Sequence, residues 1–405
     1  MNLSFAALDM TKDLGLSPSV YGFGAGIFFW GYLLCEIPAA RLVERRSASF
    51  WLGLMLVLWG AAATLMGTVN TVGEFYAYRV VLGIAEAGFF PGILIYLSRW
   101  FPQADRARAV GALAVGLPAA NLLGAPVSGW LLAQTWWHVP GWRWVFIVEG
   151  LPSVIAGVLV MLFLTNRPRD ARWLTQEERH WLEDTLARDH AANRAKAAGG
   201  TPGYLHGLFL LLVLIWFLDN VGVYGFNLWL PMILRRLSGY SSAAVAFLSA
   251  TPFVGALIAA AVVSLSSDRR KERRWHTAGP MMIFGCGMAL SVLLHESLWW
   301  SVGALSIAAL GLTSGTPGFW AIATSHYAGS THIAIITSAG ALGGMAGPVV
   351  MGYLRELTGD FLAGLTALSF CVVLAGCLVL MLRRRTLPVK YPPYEKPASE
   401  VSPRP

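Results

Sequence analysis

The sequence predicts an all-α protein that crosses a membrane many times. Of its 405 residues 56% are hydrophobic and only 13% charged, where soluble domains carry about 25% charged residues. The apolar residues gather into eleven runs, each near the roughly 20 residues that a helical span requires. The basic residues fall almost entirely between those runs, and mean hydropathy is +0.58.

In chain order a short apolar stretch, 2–10, comes first, about 14 Å long as a helix and too short to cross. Runs near 19–40, 50–69, 75–97, 108–133 and 144–165 follow. A polar interval at 166–205 separates these from runs near 206–234, 243–266, 277–294, 298–324, 332–354 and 361–382. Within the interval, Thr175-Gln-Glu-Glu178 has the form of a capping box opening an amphipathic helix through Leu182 and Leu186, with a small-residue linker from Ala191 to Gly203. The proline-rich end, 386–405, is expected to be a disordered tail.

Positive charge predicts the orientation. If loops alternate sides, one side holds 24 Lys and Arg and the other 5, with Arg79 inside the membrane; the rich side is then cytoplasmic. A net charge of +8 is thereby explained without nucleic acid. Cys35, Cys286, Cys371 and Cys377 show no metal or redox spacing. No zinc-protease, Walker or nucleophile-elbow motif is present, so neither an enzyme nor a cofactor is expected.

Two acid–Arg pairs, Glu44-Arg45 after the first complete run and Asp268-Arg269 after the second run of the later half, suggest a duplicated six-span unit. The expected division is a bundle at 1–165 with its first helix incomplete, a cytoplasmic loop at 166–205, a second bundle at 206–385 and the tail.

The most informative feature is a pair of ionisable residues inside one run. Arg79 and Glu86 are seven residues apart, nearly two helical turns, so both leave one face about 10 Å apart along the axis. A charge at the bilayer centre costs about 2.5–3.5 kcal/mol on insertion scales, and such groups mark a bundle interior or an aqueous path. Desolvation pushes Glu86 toward its neutral form while Arg79 opposes it; a static buried pair is the rival reading. In the seventh run Asp219 and Asn220 interrupt the apolar pattern, and Asn220, Tyr224 and Asn227 share a face. These and Asn121 read equally as site residues or as interhelical hydrogen bonds. Glu36 reads as the partner of a loop arginine or as a second proton site. Trp136, Trp137, Trp142 and Trp144 read as an interface belt.

Several strings occur together: Gly31-Tyr32 with Glu36-Ile-Pro38, Arg79 to Gly92 (RVVLGIAEAGFFPG), Arg99-Trp-Phe-Pro102 with Arg106-Ala-Arg-Ala109, Gly141-Trp-Arg-Trp144 with Glu149-Gly-Leu-Pro152, Trp229-Leu-Pro231, and Gly343-Gly344 with Gly347-Pro348. In this set the chain resembles the anion:cation symporter family of the major facilitator superfamily. The resemblance implies twelve helices in two six-helix bundles, a monomer in the inner membrane, and uptake of a small organic anion with protons. Members carry sugar acids, dicarboxylates or aromatic acids. It assigns substrate binding to Arg79 and Tyr32, proton coupling to Glu86, and closure of the inner gate to Glu44, Arg45, Asp268 and Arg269. Two departures stand out. The family's Asp-Arg-x-Asn string fits only its last positions at Met1-Asn2, as in a chain truncated at its start. Thr337 and Ala341 replace two asparagines usual in the eleventh helix.

Overall fold

The computed structural model describes residues 2–45, 47–198, 207–270, 272–327 and 330–382. The chain folds into α1 (Asn2–Asp13), α2 (Pro18–Arg45), α3 (Ala48–Leu65), α4 (Val72–Glu86), α5 (Phe89–Trp100), α6 (Gln103–Leu132), α7 (Gly141–Phe163) and α8 (Gln176–Ala198). It continues through α9 (Gly207–Ser238), α10 (Ser242–Arg270), α11 (Trp275–Leu293), α12 (Leu298–Gly311), α13 (Thr316–His326), α14 (Ser330–Thr358) and α15 (Leu362–Met381). Among the described residues there are no strands. Ten segments are long and apolar enough to cross a membrane. The eleventh expected run is α6, whose described apolar part is Ala119–Leu132 and whose 30 residues extend about 45 Å. The tail at 386–405 lies outside the described residues.

Two runs expected as single helices are each two. The run 75–97 breaks after Glu86, where Ala87 turns to ψ 132 and Gly88 takes φ 81. Pro91 supplies the cause. It has no N–H for the Ala87 carbonyl, and its ring would collide with that carbonyl in a continuous helix. Gly88 accepts the left-handed turn because it has no Cβ. Pro317 stands in the same relation to Thr313, and the chain leaves helix between α12 and α13. Proline alone is insufficient, since Pro152, Pro231, Pro280 and Pro348 lie inside unbroken helices.

The expected capping box forms. The Thr175 N–H donates to Glu178 at 2.9 Å and the Glu178 N–H returns to the Thr175 hydroxyl at 3.2 Å. These bonds hold the exposed Glu178 carboxyl below its ordinary range, so the cap persists in mild acid and is lost as pH falls through that lowered value. The helix it opens continues to Ala198, well into the expected linker, because the stretch from Ala191 is rich in alanine, the best helix former.

Small residues let the spans approach. On α3 and α7, Gly53 faces Gly157 and Gly60 faces Gly150; a Cβ on Gly60 would meet the Gly150 carbonyl oxygen at 2.7 Å. Such close backbone contact is how apolar helices associate when lipid is as apolar as their side chains. Gly150→Val is therefore expected to destabilise the protein by about 1–3 kcal/mol, read as a lower melting temperature in detergent. Gly343 and Gly347 of α14 sit likewise against the α9 backbone, whereas Gly124 of α6 meets nothing.

One expected belt residue is core. Trp142 is fully buried, donates from Nε1 to Asp13 at 2.9 Å and lies under the Arg143 guanidinium. α1 covers it, which no local pattern announces. Trp137 remains 81% exposed, as a belt residue would.

Where α2 runs along α14 and α6 along α10, the polar ties gather at the basic-poor end. Asp9 accepts from Ser242 at 2.6 Å and from Arg235 at 3.1 Å, and Arg235 also donates to the Leu8 carbonyl at 2.6 Å. Glu356 accepts from the Ser17 hydroxyl at 3.0 Å and the Ser19 N–H at 2.9 Å. Tyr21 donates to the Leu228 carbonyl at 3.0 Å.

Candidate functional site

Helical rise sets the depth of each candidate. Tyr32 lies 14 residues into α2 and Glu86 14 residues into α4; both helices start at the basic-poor end, so the two residues share a level about 21 Å below it. Gly83 packs on the Phe28 carbonyl and the Tyr32 N, which brings the helices together at that level. Arg79 lies nearly two turns higher.

Arg79 is 7% exposed. Its Nε donates to the Gly24 carbonyl at 3.1 Å and its Nη2 to the Ala25 carbonyl at 2.7 Å, with the Phe28 ring 4.8 Å from the guanidinium carbon. A guanidinium has five N–H donors, and the others find no acceptor among the described residues. Nor does any carboxylate pair with it there. Arg79 and Glu86 lie within electrostatic reach of each other, yet no ion pair closes between them. Seven residues of helix, about 10 Å along the axis, separate them.

The second helix packed on this site is α9. Tyr224 meets Phe29 edge-on at 4.8 Å between centroids, and Tyr32 lies within reach of Tyr224, Glu36 and Glu86. Tyr224 keeps 37% of its surface exposed although it sits mid-helix between α2 and α14. Tyr32, Glu86 and Tyr224 thus lie within electrostatic reach of one another, and Arg79 within reach of Glu86.

The amides behave differently. Asn220 donates to the Trp216 carbonyl at 2.7 Å and Asn227 to the Val223 carbonyl at 2.8 Å. These are bonds back to their own helix rather than between helices. The Asn227 Oδ1 is buried without a partner, an acceptor awaiting a donor. Asn121 is buried within α6 and is itself engaged. Of the gate residues, Arg269 is exposed in the last turn of α10; the side chains of Glu44, Arg45 and Asp268 lie outside the described residues.

Sequence reasoning missed Phe28 and Phe29, and it named Thr337 only as a departure, whereas its hydroxyl lies beside the Glu36 carboxyl. Phe28, Tyr32 and Glu36 recur at four-residue spacing on α2, a stripe that helical periodicity alone exposes. Ala341 packs with Phe28 and Phe29.

Residues 1–348 match the sequence profile of the Major Facilitator Superfamily. A protein of Agrobacterium vitis named as a tartrate transporter is 36% identical over 95% of this chain and 86% of its own length. A quinolone resistance transporter of Acinetobacter baumannii is 34% identical over 93% of this chain and 88% of its own. Among solved structures, the xylose transporter XylE of E. coli, in a partially occluded inward-open conformation, superposes with a TM-score of 0.72 at 15% identity, over 95% of this chain and 94% of that one. At such identity the likeness is one of fold.

Proposed function

The chain belongs to the major facilitator superfamily, a multi-pass membrane transporter and not an enzyme, and from that premise we propose that it carries a small organic anion in symport with protons. The observation that carries this reading is Arg79, a buried cation to which no carboxylate of the described chain is paired. An uncompensated charge in the hydrocarbon region costs about 2.5–3.5 kcal/mol, and an anionic substrate supplies the missing partner. Tyr32, Tyr224, Asn121 and the Asn227 Oδ1 offer hydroxyl and amide groups to such a substrate, and Glu86 carries the proton. Tartrate, a dicarboxylate with hydroxyl donors, has the chemistry these groups recognise, and a relative is named for it.

Purified protein in proteoliposomes tests this. Labelled tartrate, a sugar acid and an aromatic acid are offered with an acidic outside, and at least one is expected to accumulate. Uptake indifferent to the proton gradient would remove the symport. A second reading, export, is favoured by the relative named for quinolone resistance. Loading vesicles with norfloxacin and reversing the gradient separates the two.

Under this reading the basic-rich face is cytoplasmic, the membrane is the cell's inner one, the two bundles at 1–165 and 206–385 rock about the site, and the ties at Asp9 and Glu356 close the outer side. The Arg235–Asp9 pair is partly exposed, and such pairs contribute about 0–1 kcal/mol. The double variant Asp9→Asn with Glu356→Gln is thus expected to shift the population toward the outward-open state by up to about fivefold. The readout is faster labelling by an impermeant maleimide of a cysteine at Ala246, which is buried between α6 and α10.

A further inference from the structure

Glu36 is a carboxyl that nothing above uses. It is 7% exposed, one of its oxygens, Oε2, is buried with no hydrogen-bond partner, and no cation pairs with it among the described residues. Among the described residues no loop arginine takes the place of its expected partner, the side chains of Arg45 and Arg46 lying outside them. Its neighbours are those of a crossing between the two halves of the protein. On α2, Tyr32 stands one turn away; across the interface the Thr337 hydroxyl of α14 lies beside the carboxyl. Thr337 gives its own proton to the Ile333 and Ala334 carbonyls.

We propose that Glu36 is a second proton-binding residue, through which protons pass between Glu86 and the basic-rich face of the membrane. This inference rests on the proton-coupled reading above. Its geometric warrant is one of depth and adjacency. Glu86 and Tyr32 share a level, and Glu36, four residues further along α2, lies about 6 Å closer to the basic-rich end. Tyr32 is within electrostatic reach of both carboxyls, and in the proposed transfer its hydroxyl, once hydrogen-bonded to each, takes a proton from Glu86 as it gives one to Glu36. Tyrosine is neutral before and after; Glu86 ends ionised and Glu36 ends protonated. Burying an unpaired charge is costly, and a proton arriving at Glu36 removes that cost.

Other ionisable groups lie on the elements around Glu36, among them Asp219 of α9, itself a buried carboxyl. From α4, Glu86 faces Tyr32, while Arg79 is turned onto the Gly24 and Ala25 carbonyls. From α5, Arg99 donates to the Val43 carbonyl at 3.0 Å. From α9, Tyr224 faces Phe29. From α14, His332 is stacked on Tyr327 and edge-on to Phe209, and Arg41 of α2 itself is exposed.

The test joins a measurement that needs no substrate to one that does. In pH-titrated infrared difference spectra of the full chain in lipid, Glu36→Gln is expected to delete one titrating carboxylic-acid band and Glu36→Asp to restore one at a shifted midpoint. In proteoliposomes with tartrate as probe, Glu36→Gln is expected to lower proton-driven uptake at least tenfold while tartrate exchange stays within twofold of the wild type. An unchanged infrared titration overturns the proposal. So does a lost band with undiminished uptake, or a folded variant that loses exchange and uptake together. If the wild type does not carry tartrate, the infrared result decides. The reading beneath it fails separately: Glu86→Gln retaining full proton-driven uptake removes the coupling while leaving the Glu36 band in place.

Discussion

Replacing Arg79 by glutamine is expected to abolish anion uptake while leaving the protein no less stable than the wild type. The two effects separate because of what Arg79 touches. Its acceptors are the Gly24 and Ala25 carbonyls, 3.1 and 2.7 Å away, on the inner turns of α2, where each carbonyl also lies within the helix's own ladder. Losing Arg79 therefore orphans no buried group, and it removes an unpaired cation whose presence costs about 2.5–3.5 kcal/mol. Substrate has no such alternative. Removing one member of a buried, hydrogen-bonded charge pair costs about 2–5 kcal/mol or more, so uptake is expected to fall at least about thirtyfold. Arg79→Lys keeps the charge but has only three donors at a single point. It cannot hold both carbonyls and a planar carboxylate, so an intermediate loss is expected. The pair of measurements is the melting temperature in detergent and the initial rate in proteoliposomes. A Gln variant that melts well below the wild type would instead make Arg79 a strut between α2 and α4.

How much of this was legible in the sequence depends on whether the information is local. Hydropathy counts found every long apolar helix, because a span must satisfy its backbone internally and must be apolar for about 20 residues. The capping box at Thr175 and Glu178 was readable because its bonds close within four residues. The same counting missed the breaks at Ala87 and at Thr313, since a Pro-Gly step leaves a run as apolar as before. The legible signal was Pro91 three residues after Gly88, and Pro317 just after Gly315.

The site divides along the same line. Arg79, Glu86 and Tyr224 stood out because a charge or hydroxyl within an apolar run is itself a signal, whereas Tyr32 came only from the family resemblance. The amides of Asn220 and Asn227 did too, but their bonds turned back onto α9 because a carbonyl one turn earlier was the nearest acceptor. What remained hidden is what two distant helices do together: Trp142 covered by α1, Phe29 against Tyr224, and Glu36 beside Thr337. Each needs the packing of α2 on α14, or of α1 on α7, before it has any meaning.

The remaining large effect concerns Glu86. Glu86→Gln is expected to abolish accumulation driven by a proton gradient and to preserve one-for-one exchange of substrate across the membrane. The argument begins from the absence of a direct bond. Were Glu86 locked to Arg79 as an ion pair, an arriving anion would have to break that pair before it could bind. Here the carboxyl and the guanidinium sense each other through space, while Arg79 keeps donors unused. An anion at Arg79 cancels part of the field acting on Glu86, and a proton at Glu86 removes a negative charge facing the anion. Each therefore makes the other's binding easier, by the same factor in both directions, and a typical coupling of about 1–3 kcal/mol corresponds to about 5–150-fold. Glutamine mimics the protonated state permanently. The variant should bind the anion at neutral and alkaline pH as tightly as the wild type does in acid, so the pH dependence of affinity flattens. It then carries anion without carrying a proton, and the gradient has nothing to push against. Exchange survives because it needs only the rocking motion and a loaded site. Binding measured across pH, set beside exchange and net uptake in the same vesicles, distinguishes this from simple damage. A variant whose affinity still follows pH as the wild type's does would move the coupling proton elsewhere in the protein.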